Sequence, residues 1–183
     1  MLKKTVILTL TISAIALHAL TEPIYAQISE FKMTATDAAA GDRFGHSVSI
    51  DGDYAIVGAI WEDEGGFRAG AAYIYFRAGQ TWTEQSKLTA TGANWFGVSV
   101  SISGDYAIVG NLGKPAHIFI RSGVTWSEQA QLTVSGANTQ FGRSVSIDGD
   151  YAIVGAWGDD DGGTDAGAAH IFIRSGTTWT EQA

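Results

Sequence analysis

Gly52-Asp53-Tyr54-Ala55-Ile56-Val57-Gly58 returns as Gly104-Asp105-Tyr106-Ala107-Ile108-Val109-Gly110 and again as Gly149-Asp150-Tyr151-Ala152-Ile153-Val154-Gly155. A string kept letter for letter at three places marks an internal repeat, the signature of stacked or radially arranged units. Working outward, each copy is preceded by Ser-Val-Ser-Ile, at residues 47–50, 99–102 and 144–147. Before that stands Phe-Gly, at Phe44-Gly45, Phe96-Gly97 and Phe141-Gly142. After it come an apolar run ending in Arg77, Arg121 or Arg174, and then Thr-Trp-Thr/Ser-Glu-Gln centred on Trp82, Trp126 and Trp179.

Each unit reads as four short strands. Ser47-Val48-Ser49-Ile50 alternates small polar and apolar residues, the period of an extended chain. Asp51-Gly52, Ser103-Gly104 and Asp148-Gly149 are expected to form the two-residue turns into the second strand, since Asp-Gly tolerates the positive φ such turns need. Tyr54-Ala55-Ile56-Val57 and the run 71–76 are apolar on both faces and call for cover on both sides. A Gly turn (Gly79, Gly123, Gly176) leads into the Trp strand. The fold class expected is all-β, with β-propeller-type repeats in three four-stranded antiparallel blades, over units 31–86, 87–130 and 131–183. Blades need neighbours to cover their faces; a β-solenoid or flat stacked sheets are the alternatives. With 23 Gly, 2 Pro and no Cys, the composition suits strands and tight turns without disulfides or thiolate metal sites.

Residues 1–26 have the layout of a secretory signal peptide. Lys3 and Lys4 precede an uncharged run from Thr5 to Leu20, and Ile24-Tyr25-Ala26 offers a small-residue cleavage site. The run is shorter than the roughly 20 residues of a spanning helix, which favours cleavage over an uncleaved anchor. Residues 27–183 are then the exported repeat domain, at the cell surface, in a periplasm or released. The net charge of −8, with no basic cluster, argues against nucleic acid and, after cleavage, against membrane as partners.

Phe-Gly followed about a dozen residues later by Gly-Ala resembles the FG-GAP repeat of integrin α-chain propellers and bacterial secreted proteins. The pattern is complete at Phe44-Gly45 with Gly58-Ala59 and at Phe141-Gly142 with Gly155-Ala156; in the middle unit Gly110 is followed by Asn111. The family's Pro is replaced by Ile60, Leu112 and Trp157. The resemblance implies a propeller used for extracellular binding or adhesion, with a protein or glycan ligand. It does not carry over the calcium loop of integrin-type repeats, because the short turn at Asp51-Gly52 fills that place.

The units differ most between their second and third strands. The first holds Trp61-Glu62-Asp63-Glu64-Gly65-Gly66, the third Gly158-Asp159-Asp160-Asp161-Gly162-Gly163-Thr164-Asp165, and the second only Leu112-Gly113-Lys114-Pro115. Clustered carboxylates on a Gly-rich loop can wrap Ca²⁺, which takes six to eight oxygens. Asp159, Asp161 and Asp165 form the first candidate metal set, and Glu62, Asp63 and Glu64 the second; solvated turns of an acidic protein are the alternative. Asp37 and Asp42, flanking residues 38–41, give a weaker acidic signal, where the later units have Gly92-Ala93-Asn94 and Gly136-Ala137-Asn138.

Catalysis is not expected. Arg121-Ser122-Gly123-Val124-Thr125-Trp126 is similar to the tail of the sialidase Asp-box, but Arg121 stands at its defining Asp. No nucleophile elbow, zinc helix or phosphate loop is present. The repeated Arg, Tyr and Trp positions, and His117 and His170 at the place of Tyr73, read as packing or strand-end residues. The leading expectation is therefore a secreted binding or adhesion module, with Ca²⁺ as the only cofactor considered. A structural unit of a larger surface assembly comes second and a propeller hydrolase third.

Residues 30–35 align with 85–90, the outer half of a fourth strand, whereas the last residues stop at Trp179-Thr180-Glu181-Gln182-Ala183. The N-terminal segment can thus complete a last blade, its own or a neighbour's. A homodimer closing a six-bladed ring is one expectation, and a piece of a longer repeat array the other.

Overall fold

Branched and aromatic residues at alternate positions hold the chain extended through every repeated string. The computed structural model describes residues 30–135 and 140–182. Its strands are β1 (Phe44–Asp51), β2 (Tyr54–Ala59), β3 (Ala71–Ala78), β4 (Thr81–Leu88), β5 (Val100–Ser103), β6 (Tyr106–Val109), β7 (Ala116–Ser122), β8 (Thr125–Leu132), β9 (Phe141–Asp148), β10 (Tyr151–Ala156), β11 (Ala168–Ser175) and β12 (Thr178–Glu181). They form three antiparallel four-stranded sheets in sequence order, which is the all-β blade architecture expected, without closure into a ring. No helix among the described residues is long and apolar enough to cross a membrane. The expected signal segment lies outside the described residues, as do Gly136, Ala137 and Asn138.

The first hairpin turn is one residue later than the Asp-Gly reading places it. Asp51 pairs with Tyr54, leaving Gly52 and Asp53 as the turn, with φ of 56° at Gly52. Positive φ at the first central residue alone is the type II′ pattern, which explains why Gly leads each turn. Asp53 is then free to receive Arg77 from the end of β3, Nη2 to Oδ1 at 2.7 Å, and Arg121–Asp105 and Arg174–Asp150 repeat the pair. A bulge in β4 leaves Gln85 unpaired between Glu84 and Ser86, and Gln129 holds the same place in β8.

Each sheet has two apolar faces, and the cores lie between sheets. Ile56 and Ile74 of the first blade pack with Val100, Ile102, Val109, Phe119 and Trp126 of the second. Ile108 and Ile118 of the second pack in the same way with Ile147, Val154 and Phe172 of the third. The first blade's other face, with Val57, Tyr73 and Tyr75, is covered in part by Met33 and Ala35.

The innermost strands join through hydroxyls. Ser49 Oγ accepts from the Ile102 amide at 3.2 Å, Ser99 Oγ from Val145 at 3.0 Å and Ser101 Oγ from Ile147 at 3.1 Å. Ser-Val-Ser-Ile thus does two things: in the second and third units its Val and Ile pack in the interblade core, and in the first and second its Ser hydroxyls satisfy the next unit's first strand.

Candidate functional site

The loops after β2 and β10 carry the acidic residues and are built alike. In the first, Glu62 Oε1 accepts the Glu64 amide at 2.9 Å, and the Gly70 amide returns to the Glu62 carbonyl at 2.8 Å. In the third blade Asp159 Oδ1 accepts the Asp161 amide at 3.0 Å, and the Gly167 amide returns to the Asp159 carbonyl at 2.9 Å. One side chain in each loop thus turns inward to cap backbone, and Glu62 and Asp159 are both buried.

Around Glu62 the structure gathers a set that differs from the sequence reading. Among the described residues, ligand-type atoms of Asp37, Glu62 and Glu64 lie within 4.8 Å of one another. Asp63 is not among them: Glu62 and Glu64 share one side of the loop, and Asp63 faces the other, beside Trp61 and Arg68. Nor does the curled arrangement expected for Asp159, Asp161 and Asp165 form. Asp159 is spent on the Asp161 amide, Asp160 Oδ1 takes the Asp165 amide at 2.8 Å, and Asp161 and Asp165 are exposed.

The cation of the first loop belongs to the chain itself. Lys87 Nζ on β4 donates to Asp37 Oδ2 at 2.6 Å, Glu64 Oε2 at 2.6 Å and Glu62 Oε1 at 3.1 Å. Burial works against the charge of Lys87, but the three carboxylates outweigh it and hold the ammonium well above the usual lysine range. The hydrogen bond from Lys87 in turn holds Asp37 below the usual carboxylate range. Register places Tyr73 opposite Lys87, and burial, with the Asp37 charge, pushes the tyrosine hydroxyl far up.

The middle blade has no acids in its short loop and builds a network of amides and an imidazole there instead, anchored on Glu128 of β8. Asn111 Oδ1 accepts the Asn94 amide at 2.8 Å, and Asn111 Nδ2 lies 3.4 Å from His117 Nε2. His117 Nδ1 faces Glu128 Oε1 at 3.3 Å, and Gln131, at the place of Lys87, donates to the same oxygen at 2.7 Å. Burial pulls the His117 pKa down, against the opposing charge of Glu128. The Asn after Gly110, a departure from the repeat in sequence, is what this network requires.

The outer side of the first loop is a patch of rings and guanidinium groups. Arg43 lies 3.2 Å over the Trp61 ring, Arg68 lies 4.4 Å over the same ring, and Phe67 is 86% exposed beside them. A small cavity of about 190 Å³ opens between Asp42, Trp61, Asp63 and Arg68.

The Phe-Gly strings have a distinct place in this geometry. Phe96 packs edge-on against His117 and Phe119 of its own blade, while its backbone presses on the preceding one. The Phe96 amide donates to the Ala69 carbonyl at 2.9 Å, and a Cβ on Gly58 would lie 2.1 Å from the Gly97 carbonyl oxygen. Gly142 stands equally close to Gly110. The family model of the FG-GAP repeat matches residues 29–75, 82–117 and 126–172, well over half of the sequence. The chain belongs to the FG-GAP repeat family. No curated protein matches it. In FG-GAP terms, the Gly of the second strand gives the room that the next blade's Phe-Gly backbone takes up. The FG-GAP assignment supports a propeller-like repeat module; the acidic loops and the ring patch are features of this chain's own loops.

Proposed function

We infer that this FG-GAP chain is an exported, non-enzymatic binding module whose first-blade loop holds an extracellular protein or glycan. The observation that carries the reading is the Arg43–Trp61–Arg68–Phe67 patch. The scaffold repeats almost letter for letter, yet Trp61, Phe67 and Arg68 are replaced in the third blade by Gly158, Thr164 and Asp165. Packing does not require them, since the third loop keeps the same backbone hydrogen bonds without them. Phe67 is exposed, Trp61 and Arg68 are half-buried beside it, and Arg43 reaches in from the segment before β1. Aromatic and Arg side chains gathered in this way are the composition of recognition surfaces, with the Phe67 ring offering stacking area to sugars as well as to protein. Lys87 occupies the carboxylates of this loop, so the reading needs no calcium there. Export is supported by the charge and apolar pattern of residues 1–26.

The test is a glycan and extracellular-protein array probed with the purified protein beside Phe67→Ala and Arg68→Ala variants. Binding lost in both variants, with the fold intact by circular dichroism, supports the patch. Equal binding by all three moves the function elsewhere. Turnover of glycosidase or sialidase substrates overturns the non-enzymatic reading.

A further inference from the structure

In the middle blade the hydrogen-bond partners of His117 fix its tautomer. Asn111 Oδ1 accepts the Asn94 amide at 2.8 Å, so the carboxamide turns its Nδ2 toward His117, 3.4 Å from Nε2. An NH2 group can only donate, which makes Nε2 an acceptor. The proton of the neutral ring then sits on Nδ1, facing Glu128 Oε1 at 3.3 Å. His117 is 3% exposed and Asn111 2%, so water does not take over a lost bond. Glu128 is the charged group that faces the ring, and Lys114 of the adjoining loop is exposed. Val109 of β6 and Gln131 of β8 pair with His117 on either side, and Phe96 meets the ring edge-on. On the face that His117 shares with Phe119, the first blade packs Ile56, Ile74 and Leu88.

We propose that His117 and Asn111 form a proton-operated latch on the two junctions of the middle blade. A second proton on the ring adds an N–H at Nε2, and that N–H meets the Asn111 NH2 group, donor against donor. Turning the carboxamide over moves the fault without removing it: Oδ1 then serves His117, and the NH2 group meets the Asn94 amide. Every arrangement that keeps Asn111 in place therefore loses one buried hydrogen bond. The ring holds its proton less readily than an ordinary histidine, which is the direction this geometry requires.

Asn111 sits between the two junctions. On one side Asn94 leads directly into Trp95 and Phe96, whose amides donate to the Arg68 and Ala69 carbonyls of the first blade at 3.0 and 2.9 Å. On the other side the Asn111 carbonyl accepts the Lys114 amide at 2.9 Å and closes a turn, and the Gly113 amide of that turn donates to the Phe141 carbonyl at 3.0 Å. Gly142 rests on the same turn: a Cβ there would lie 2.8 Å from the Asn111 carbonyl oxygen. Releasing Asn111 loosens the middle blade's hold on both neighbours. The device belongs to this blade, because Ala59 and Ala156 stand at the place of Asn111 in the other two, and Tyr73 and His170 at the place of His117.

Amide hydrogen exchange read by NMR at about pH 7.5 and about pH 5, corrected for the intrinsic exchange rate, tests the latch. In the parent protein the protection of the Asn94 and Gly113 amides should fall by about tenfold or more, and the strand amides of β2 should fall less. His117→Gln has no imidazole to charge and should keep its protection at both pH values. In Asn111→Asp one carboxylate accepts from both the Asn94 amide and the imidazolium, so the His117 pKa should rise and the fall at Asn94 and Gly113 should vanish. Parent protection at these two amides that holds at the lower pH, or falls no further than in β2, overturns the proposal. So does a His117→Gln variant that loses protection as the parent does, or a His117 pKa unmoved in Asn111→Asp. Circular dichroism establishes that each variant is folded; should Asn111→Asp not be, the comparison of parent with His117→Gln decides.

Discussion

The Trp126 indole nitrogen donates to the Gln85 side-chain oxygen at 2.9 Å, across the boundary between the first and second blades. Trp179 and Gln129 repeat the bond at 3.1 Å across the next boundary. The Thr-Trp-x-Glu-Gln string therefore serves two junctions at once: its Trp reaches back to the preceding blade and its bulged Gln reaches forward. Trp126→Phe keeps the ring's packing against Tyr54 and removes the donor. It should cost about 1 kcal/mol, read as a lower urea midpoint with an unchanged slope.

Gly58→Ala and Gly110→Ala should be far more damaging. The added Cβ lies 2.1 Å from a backbone oxygen of the next blade in both cases, Gly97 at the first and Gly142 at the second. Backbone cannot move aside as a side chain can, so a junction must open. A loss of about 3 kcal/mol or more is expected, in the range of severe packing faults, and thermal unfolding in two steps would report the separated blade.

Lys87→Met removes the charge that neutralises the Asp37, Glu62 and Glu64 cluster. Glu62 is buried at 7% side-chain exposure and Lys87 at 19%, so the penalty of an orphaned carboxylate applies, about 3 kcal/mol at neutral pH. Asp37 and Glu64 are exposed enough to add little. The sign with pH follows from Asp37, whose folded pKa lies below its ordinary 3.8. Its contribution is whole above that value and is lost as pH falls through the folded pKa. The parent protein should therefore lose stability below about pH 4, while the variant, already without the ion pair, should show a shallower acid limb in denaturant titrations.

His117 acts at milder acidity. Its folded pKa lies below the ordinary 6.5, because burial disfavours the imidazolium. The unfolded chain then binds the proton more readily, so stability is full above about pH 6.5 and declines as pH falls toward the folded value. His117→Gln should remove this slope, and urea midpoints at pH about 7.5 and about 5 would differ less in the variant than in the parent.

The blades were legible because the repeat states them three times over. Val48, Val100 and Val145 occupy one strand position whatever surrounds them, and the register of β1 with β2 follows from that alternation. The turn was misplaced by one residue because Asp51-Gly52 and Gly52-Asp53 overlap, and only the pairing of Asp51 with Tyr54 separates them. Lys87 escaped the reading because an acidic loop suggests an external metal, whereas its neutralising partner lies two strands away. A signal did exist: the repeat places Lys87 with an acidic loop and Gln131 with a loop that has no acid. Asp37 could not be found that way, since its position precedes the repeated strings and only the packing of residues 31–36 on the first blade brings it close.

The hydroxyls of Ser49, Ser99 and Ser101 have a consequence for how such a chain grows over evolutionary time. Each unit carries both halves of the joint along its first strand, Ser hydroxyls that accept from the next unit and a backbone amide that donates to the preceding one, within a single stretch of coding sequence. Duplicating or deleting one stretch leaves every remaining joint intact, so the number of blades can drift without any new interface having to be invented.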